Sequence, residues 1–246
     1  MRFLIQKIDH RVKHDFSFTL LESIEFQKWF QNDKNVIASK YIDYYDYKNW
    51  CFKPFHQHYV PVGSVEFVTT WFERFCDHTP KPINVPEELF KYCNRIIWNG
   101  NENGYIGYEE LFVKSNDNIK GFKEFINSSK PLPKGNYQFS EVTDIESEWR
   151  AFVYQGKLVG LQNYSGEFTM FPDVEQIEHI IKAYKSAPIA YTLDVGVFDE
   201  KTFVVEIHDF FSCGLYGFSD HKILPYMLYR WHHEYMGKHK LYGNKL

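Results

Sequence analysis

The stretch "YTLDVGVFDEKTFVVEIHDFF", residues 191–211, constrains the fold more than any other. Two runs rich in Val, Ile, Phe and Tyr flank the polar Asp199-Glu200-Lys201, the pattern of an antiparallel strand pair. Yet the runs carry Asp194, Glu206 and His208, groups that an apolar strand should exclude. With a three-residue turn at 199–201, Phe198 faces Thr202, so Asp194 faces Glu206 and Thr192 faces His208. Side chains alternate along a strand, which puts Asp194, Glu206 and His208 on one face. Carboxylates directly opposite one another repel, and burying an unpaired one costs more still. No basic residue lies in either strand, so a hard divalent cation, Mg2+ foremost, fits the pair better than Lys or Arg. A slip of one residue would send the acids to opposite faces. An exposed polar face with ordinary surface carboxylates is the competing reading.

A chain of 246 residues with 44% hydrophobic content can bury a sizeable core as one large or two modest domains. Net charge is -4 with acids and bases interspersed, so no basic stripe signals nucleic acid. The N-terminal apolar run is too short for a signal peptide and no window approaches a membrane span, which makes the expected location cytoplasmic. Cys51, Cys76, Cys93 and Cys213 form no C-x-x-C pair and read as buried thiols.

Along the chain, "RFLIQKI" reads as a strand and residues 20–31 place Leu20, Ile24, Phe26, Trp29 and Phe30 near helical spacing. Aromatic-rich, irregular sequence follows, and then Gly63-Ser64 breaks a strand before a helix expected over 65–76. Three prolines mark 77–86 as a linker ahead of a helix from about Pro86. The organisation expected is an N-terminal α/β region over 1–100 and a second, β-rich region over 101–246. In the second, strands are expected at 109–114 and on both sides of a Gln155-Gly156 turn, with a strand or short helix near 120–126. A helix over "VEQIEHIIKAYKSA" and a closing helix over "KILPYMLYRWHHEYM" complete the pattern.

Lys114 ends an apolar strand beside the polar "SNDNI", which Lys120 follows; a lysine so placed can reach a phosphate, or simply be a solvated edge residue. Glu148 and Arg150 share one strand face, so Arg150 is aimed at an anion or at Glu148. His221, His232, His233 and His239 read as surface residues, since no Cys or acid completes a metal set. Tyr41, Tyr44, Tyr45, Tyr47 and Trp50 read as a packing or partner surface.

Taken in order, "FVKSNDNIKGF", "SEWRAFV", "GKLVGLQNY", "YTLDVGVF" and "VVEIHDFFSCGLYGF", with "PVGSVEF" upstream, resemble the divergent ATP-grasp clade known for one arginine and two lysines. That clade includes a eukaryotic cell-division-cycle protein that assembles a translation initiation factor, and bacterial and phage members. The resemblance spans roughly residues 60–220. It implies an α/β (α+β) ATP-grasp fold, with an N-terminal α/β subdomain and two β-rich subdomains clamping ATP. It implies ATP and Mg2+ as cofactors, with Lys114, Lys120, Glu148 and Arg150 toward the nucleotide. Lys120 and Arg150 are the catalytic candidates, and Glu141 and Val142 the adenine or ribose contacts. Asp194, Glu206 and His208 match the magnesium positions, although position 208 is Asn in the family signature. His208 coordinates through a neutral nitrogen, or Asp209 substitutes for it, or the second metal site is weak.

The activity implied is activation of a carboxylate as an acyl phosphate, followed by amide formation on a small molecule, a peptide or a protein. An ATP-binding assembly factor with incidental turnover is the second reading, with a protein partner. A metal-dependent phosphoesterase built on the acids alone is the third.

Overall fold

The computed structural model describes residues 1–31, 37–44, 52–105, 107–119, 121–127 and 131–239. In chain order its elements are β1 (Arg2–Ile8), α1 (Asp15–Gln31), β2 (Ile37–Tyr44), β3 (Val60–Val62), α2 (Val65–Phe75), β4 (Ile97–Asn101), β5 (Leu111–Ser115), β6 (Lys123–Ile126), β7 (Asn136–Ser140), β8 (Ser147–Tyr154), β9 (Lys157–Gly166), α3 (Val174–Ala183), β10 (Ala190–Phe198), β11 (Lys201–Asp209) and α4 (Leu224–Lys238). Short 3-10 turns cover Pro54–His58 and Glu87–Tyr92, the latter where an α-helix was expected. No helix among the described residues is long and apolar enough to cross a membrane.

Contacts group the chain into two units: residues 1–80, 188–190 and 210–246, and residues 81–187 with 191–209. The chain changes unit inside the expected linker at 77–86 rather than at residue 100, and the closing segment belongs with the N-terminal unit. Local sequence pattern cannot show such a return. It follows from the buried stripe Leu224, Met227, Leu228 and Trp231 of α4, which packs with α1 and β3.

In the first unit β1 lies between β2 and β3 in a parallel sheet. The strand β2 arises in the segment read as irregular. Helix α1 starts earlier than its pattern suggests, at Asp15, and buries Phe16, Leu20 and Ile24 at four-residue spacing. Trp29 and Phe30 fall off that stripe and are 79% and 57% exposed. Ser64 caps α2, its Oγ accepting from the Phe67 amide at 3.2 Å, as the strand-to-helix break predicts. His232 is no surface residue: it is buried in α4 against the rings of Trp71 and Phe72. His239 also has company, because its donor atom lies within 4.8 Å of those of Asp77 and His78. Of the tyrosine cluster, Tyr41 is on β2 under the Lys7 ammonium, 3.9 Å from the ring centroid; Tyr45, Tyr47 and Trp50 lie outside the described residues. Cys76, Cys93 and Cys213 are buried and in no disulfide, as expected; Cys51 lies outside the described residues.

The second unit has two four-stranded sheets, ordered β4-β7-β5-β6 and β11-β10-β8-β9. In the stretch expected near 120–126, Lys123–Ile126 form the strand β6, paired with β5. The Gln155-Gly156 turn joins β8 to β9 with φ of 52° and 69°, a two-residue hairpin in the left-handed region where glycine is at ease. On one face of the second sheet Trp149, Ala151 and Val153 of β8 and Leu193, Val195 and Val197 of β10 pack with Ile177, Ile180 and Ile181 of α3. The Asp173 carboxylate caps α3 by accepting from the amides of Glu175 and Gln176 at 2.9 and 3.2 Å. Asp173→Ala should therefore lower stability by about 1 kcal/mol in urea unfolding.

The β10–β11 hairpin differs from expectation in two places that cancel. Its turn has two residues, Asp199 and Glu200, at φ of 49° and 58°, so Phe198 faces Lys201 and Val197 faces Thr202. A bulge then intervenes, with Val195 opposite Val204 and Asp194 opposite Glu206. The extra residue is Val205. Packing records the same phase change: Val204 and Ile207, three residues apart, both face the α3 core.

Candidate functional site

Opposite the α3 core, the second sheet carries a face of charged side chains. Strand alternation places Glu148 and Arg150 of β8, Asp194 of β10, and Glu206 and His208 of β11 there. Asp194 and Glu206 are paired across the ladder, and the donor atoms of Asp194, Glu206 and His208 lie within 4.8 Å of one another. Asp194 is 1% and Glu206 8% exposed, so the solvated-face reading fails.

The cations come from strands the hairpin pattern does not contain, which corrects the expectation that a divalent cation fits between the acids better than Lys or Arg. Arg150 holds Asp194 in a two-bond fork, Nε to Oδ1 and Nη2 to Oδ2, each at 2.7 Å. Arg150 thus takes Asp194 as its fork partner, while Glu148 accepts from the Tyr164 hydroxyl at 2.5 Å. Lys114, buried at the end of β5, donates to the Glu206 carboxylate. Lys123 of β6, directly across the ladder from Lys114, adds a second ammonium 3.6 Å from Glu206 Oε1. His208 Nε2 stands between the acids, 3.0 Å from Glu206 Oε1 and 3.9 Å from Asp194 Oδ2.

Burial pushes the Glu206 carboxyl up, but the His208 bond and the Lys114 and Lys123 charges outweigh it and hold the group well below the usual carboxylate range. Burial pulls the Lys114 ammonium down, against the attraction of Glu206. Burial, the Asp194 charge and the bond to Glu148 all push the Tyr164 hydroxyl upward.

Other expected residues fall elsewhere. Asp209 alternates to the opposite face, where its charge adds to burial in raising Tyr184 of the segment after α3, so it does not replace His208. Glu141 and Val142 follow β7. The Glu141 amide donates to the Ile96 carbonyl at 3.1 Å, its carboxylate accepts from the Ile96 amide at 2.9 Å, and Val142 is 45% exposed. Next to them a cleft is lined by Arg95, Ile97, Phe112, Lys114, Gln138 and Ser140. Lys120 lies outside the described residues. Lys123 and Arg95 escape sequence reading: each is a single basic residue near a short strand whose sheet partners the sequence does not reveal. Tyr164 was quoted within a motif but carried no chemical signal.

A family model for the ATP-grasp domain, R2K clade family 2, matches residues 92–225, more than half of the chain. The chain belongs to this ATP-grasp family. The fold expectation is thereby met, as the mixed α/β elements and paired sheets of the second unit require. No curated protein matches the chain. Among solved structures, the ATP-grasp chain is similar to D-alanine–D-alanine ligase from Bacillus anthracis, at 10% identity over 96% of this chain and 99% of that one, TM-score 0.49. It is similar to a RiPP-associated ATP-grasp ligase from Chryseobacterium gregarium, solved with ADP and a leader and core peptide, at 10% identity over 95% and 97%, TM-score 0.46. It is similar to N5-carboxyaminoimidazole synthetase from Staphylococcus aureus, at 12% identity over 84% and 72%, TM-score 0.44.

Proposed function

We propose that this ATP-grasp chain uses Mg-ATP to activate a carboxylate as an acyl phosphate and joins it to an amine. The carrying observation is the buried face on which Asp194 and Glu206 oppose each other, each held by a cation from another strand. The donor chemistry fits the cofactors. Two ionised carboxylates are hard oxygen ligands for Mg2+, and Lys114, Arg150 and Lys123 are the cations that phosphate oxygens require. When bound, Mg2+ would act as a Lewis acid that withdraws charge from the transferred group.

Asp194 and Glu206 would hold the metal, and His208 would contact it through a neutral nitrogen or orient Glu206. Lys114 and Lys120 would hold phosphates. Arg150 and Lys120 would stabilise charge on the transferred phosphoryl group, with Glu148 lying beside Arg150 and toward the nucleotide. Glu141 and Val142 would meet the adenine or ribose at the end of β7. Burial makes each fixed charge count for more than it would in water. No protein nucleophile is needed, since the substrate carboxylate would attack the γ-phosphate and release ADP, and the amine would then displace inorganic phosphate from the acyl phosphate.

A peptide or protein is the substrate class we favour. Strand β9, ten residues long and half-exposed along most of its length, is the outer strand of the sheet that carries Arg150. An extended chain could pair along it.

The test is ADP release from Mg-ATP with and without a pool of amino acids and peptides. ADP should rise with the pool and fall by about a hundredfold or more in Lys114→Ala and Glu206→Gln. Nucleotide binding with no stimulation by any pool would instead favour the second reading, an assembly factor like the eukaryotic clade member. The specific observation behind that alternative is His208, whose Nε2 lies 3.0 Å from Glu206 Oε1, an oxygen the metal would need.

A further inference from the structure

Given the extra residue that β11 carries, Asp194 and Glu206 face each other only because a bulge absorbs it. A two-residue turn followed by a regular ladder would set Asp194 opposite Val205 and Glu206 opposite Leu193. Glu206 and His208 would then point into the α3 core. The bulge at Val205 restores the register.

A bulge is a weak point in a ladder, because its extra residue is left unpaired, and β11 is an outer strand. In a regular strand successive carbonyls point to opposite edges, so one side chain cannot take two in a row. Arg95 does so here. Its Nη1 donates to the Val204 carbonyl at 2.8 Å and its Nη2 to the Val205 carbonyl at 3.0 Å. Nη1 also donates to the Cys93 carbonyl at 3.0 Å, which ties the guanidinium to its own segment just before β4. Two residues further, the Ile207 amide donates outward to the Asn84 carbonyl at 2.8 Å, where regular pairing has resumed. The fork therefore fits the bulged conformation and no other.

We propose that Arg95 is a positioning residue: its guanidinium locks the Val205 bulge and so holds Glu206 and His208 on the face of Asp194, setting the divalent-cation affinity of the site. The last clause rests on the nucleotide and metal reading above; the lock itself does not.

Amide hydrogen exchange tests the lock without any ligand. In Arg95→Gln, amides of residues 203–209 should lose protection roughly tenfold or more, while those of α1 and α4 keep theirs. Unchanged exchange in β11 overturns the proposal. Arg95→Lys should behave like Arg95→Gln, because a single ammonium cannot fork across two carbonyls.

Binding then separates a lock from a direct contact. Affinity for Mg-ADP should fall by about 10- to 100-fold in Arg95→Gln, whereas affinity for ADP in EDTA should stay within about twofold. Deleting Val205 should produce a regular ladder that still pairs Asp194 with Glu206, so in that background the Arg95→Gln effect should vanish. An equal loss in both backgrounds, or an equal loss with and without Mg2+, overturns the proposal. Should the wild-type chain bind no Mg-ADP, the nucleotide reading fails, and hydrogen exchange still decides whether Arg95 locks the bulge.

Discussion

Asp194→Ala should lower the unfolding free energy by about 3–5 kcal/mol, measured in urea at neutral pH. The reason is the partner left behind. Arg150 is buried and cannot shed its proton, so losing the fork strands a full charge away from water. Arg150→Ala should cost a similar amount through the abandoned carboxylate. Replacing both together, as Arg150→Met with Asp194→Leu, should recover most of the loss, because two well-packed apolar side chains avoid the desolvation of both ions. The same double variant should release no ADP in the assay above. If the double variant is no more stable than the singles, the pair is not an isolated buried ion pair. Glu206→Gln should be milder, since the lysine it abandons can discharge and burial already pulls Lys114 that way.

Lowering the pH from 7 to 5 should cost about 2 kcal/mol of stability through His232 alone. Both ring nitrogens of His232 are buried without a hydrogen-bond partner, among Trp71, Phe72 and His233. Burial, with a smaller contribution from His233, holds it down from 6.5 to about 3. The unfolded chain therefore binds a proton that the folded chain refuses. Stability is whole above pH 6.5 and falls by about 1.4 kcal/mol per pH unit down to about 3. Glu206, also depressed, adds its own loss only below the ordinary glutamate range near 4.5. The interval from 4.5 to 6.5 thus belongs to His232 and, with the same sign, to His233, which burial and the Arg230 charge also lower. His232→Phe, which keeps a ring against Trp71 and Phe72, should flatten the curve there. Parallel curves for wild type and variant would rule the assignment out.

The second unit was the more legible half because its strands announce themselves by alternation and its turns by Gln155-Gly156 and Asp199-Glu200. The pairing of Asp194 with Glu206 was read correctly through two errors of opposite sign, a turn one residue too long and a missing bulge. Phe203, Val204 and Val205 are all apolar, so the change of phase leaves no mark in the sequence. The cations were misjudged for a related reason. Lys114 and Arg150 were each noticed, but a strand pattern reveals only neighbours in its own hairpin, and these two reach the acids across separate strands. Strands β4 and β7 escaped because short, polar-rich pieces pair only in the context of a sheet. His232 was misread because the lack of a complete metal set was taken for exposure, whereas position on the stripe with Leu228 and Trp231 decides burial.

The ion pairs also bear on the order in which ligands arrive. A divalent cation alone must compete with Arg150 and Lys114 for oxygens those side chains already hold, and it offers the displaced cations nothing in return. A nucleotide brings phosphate oxygens that can take them over. Metal and nucleotide should therefore enter as one complex, and millimolar Mg2+ without nucleotide should leave the chain unchanged. On the proposed nucleotide and metal reading, the internal cations would act as placeholders that keep the acids from opportunistic metals until the proper cargo comes.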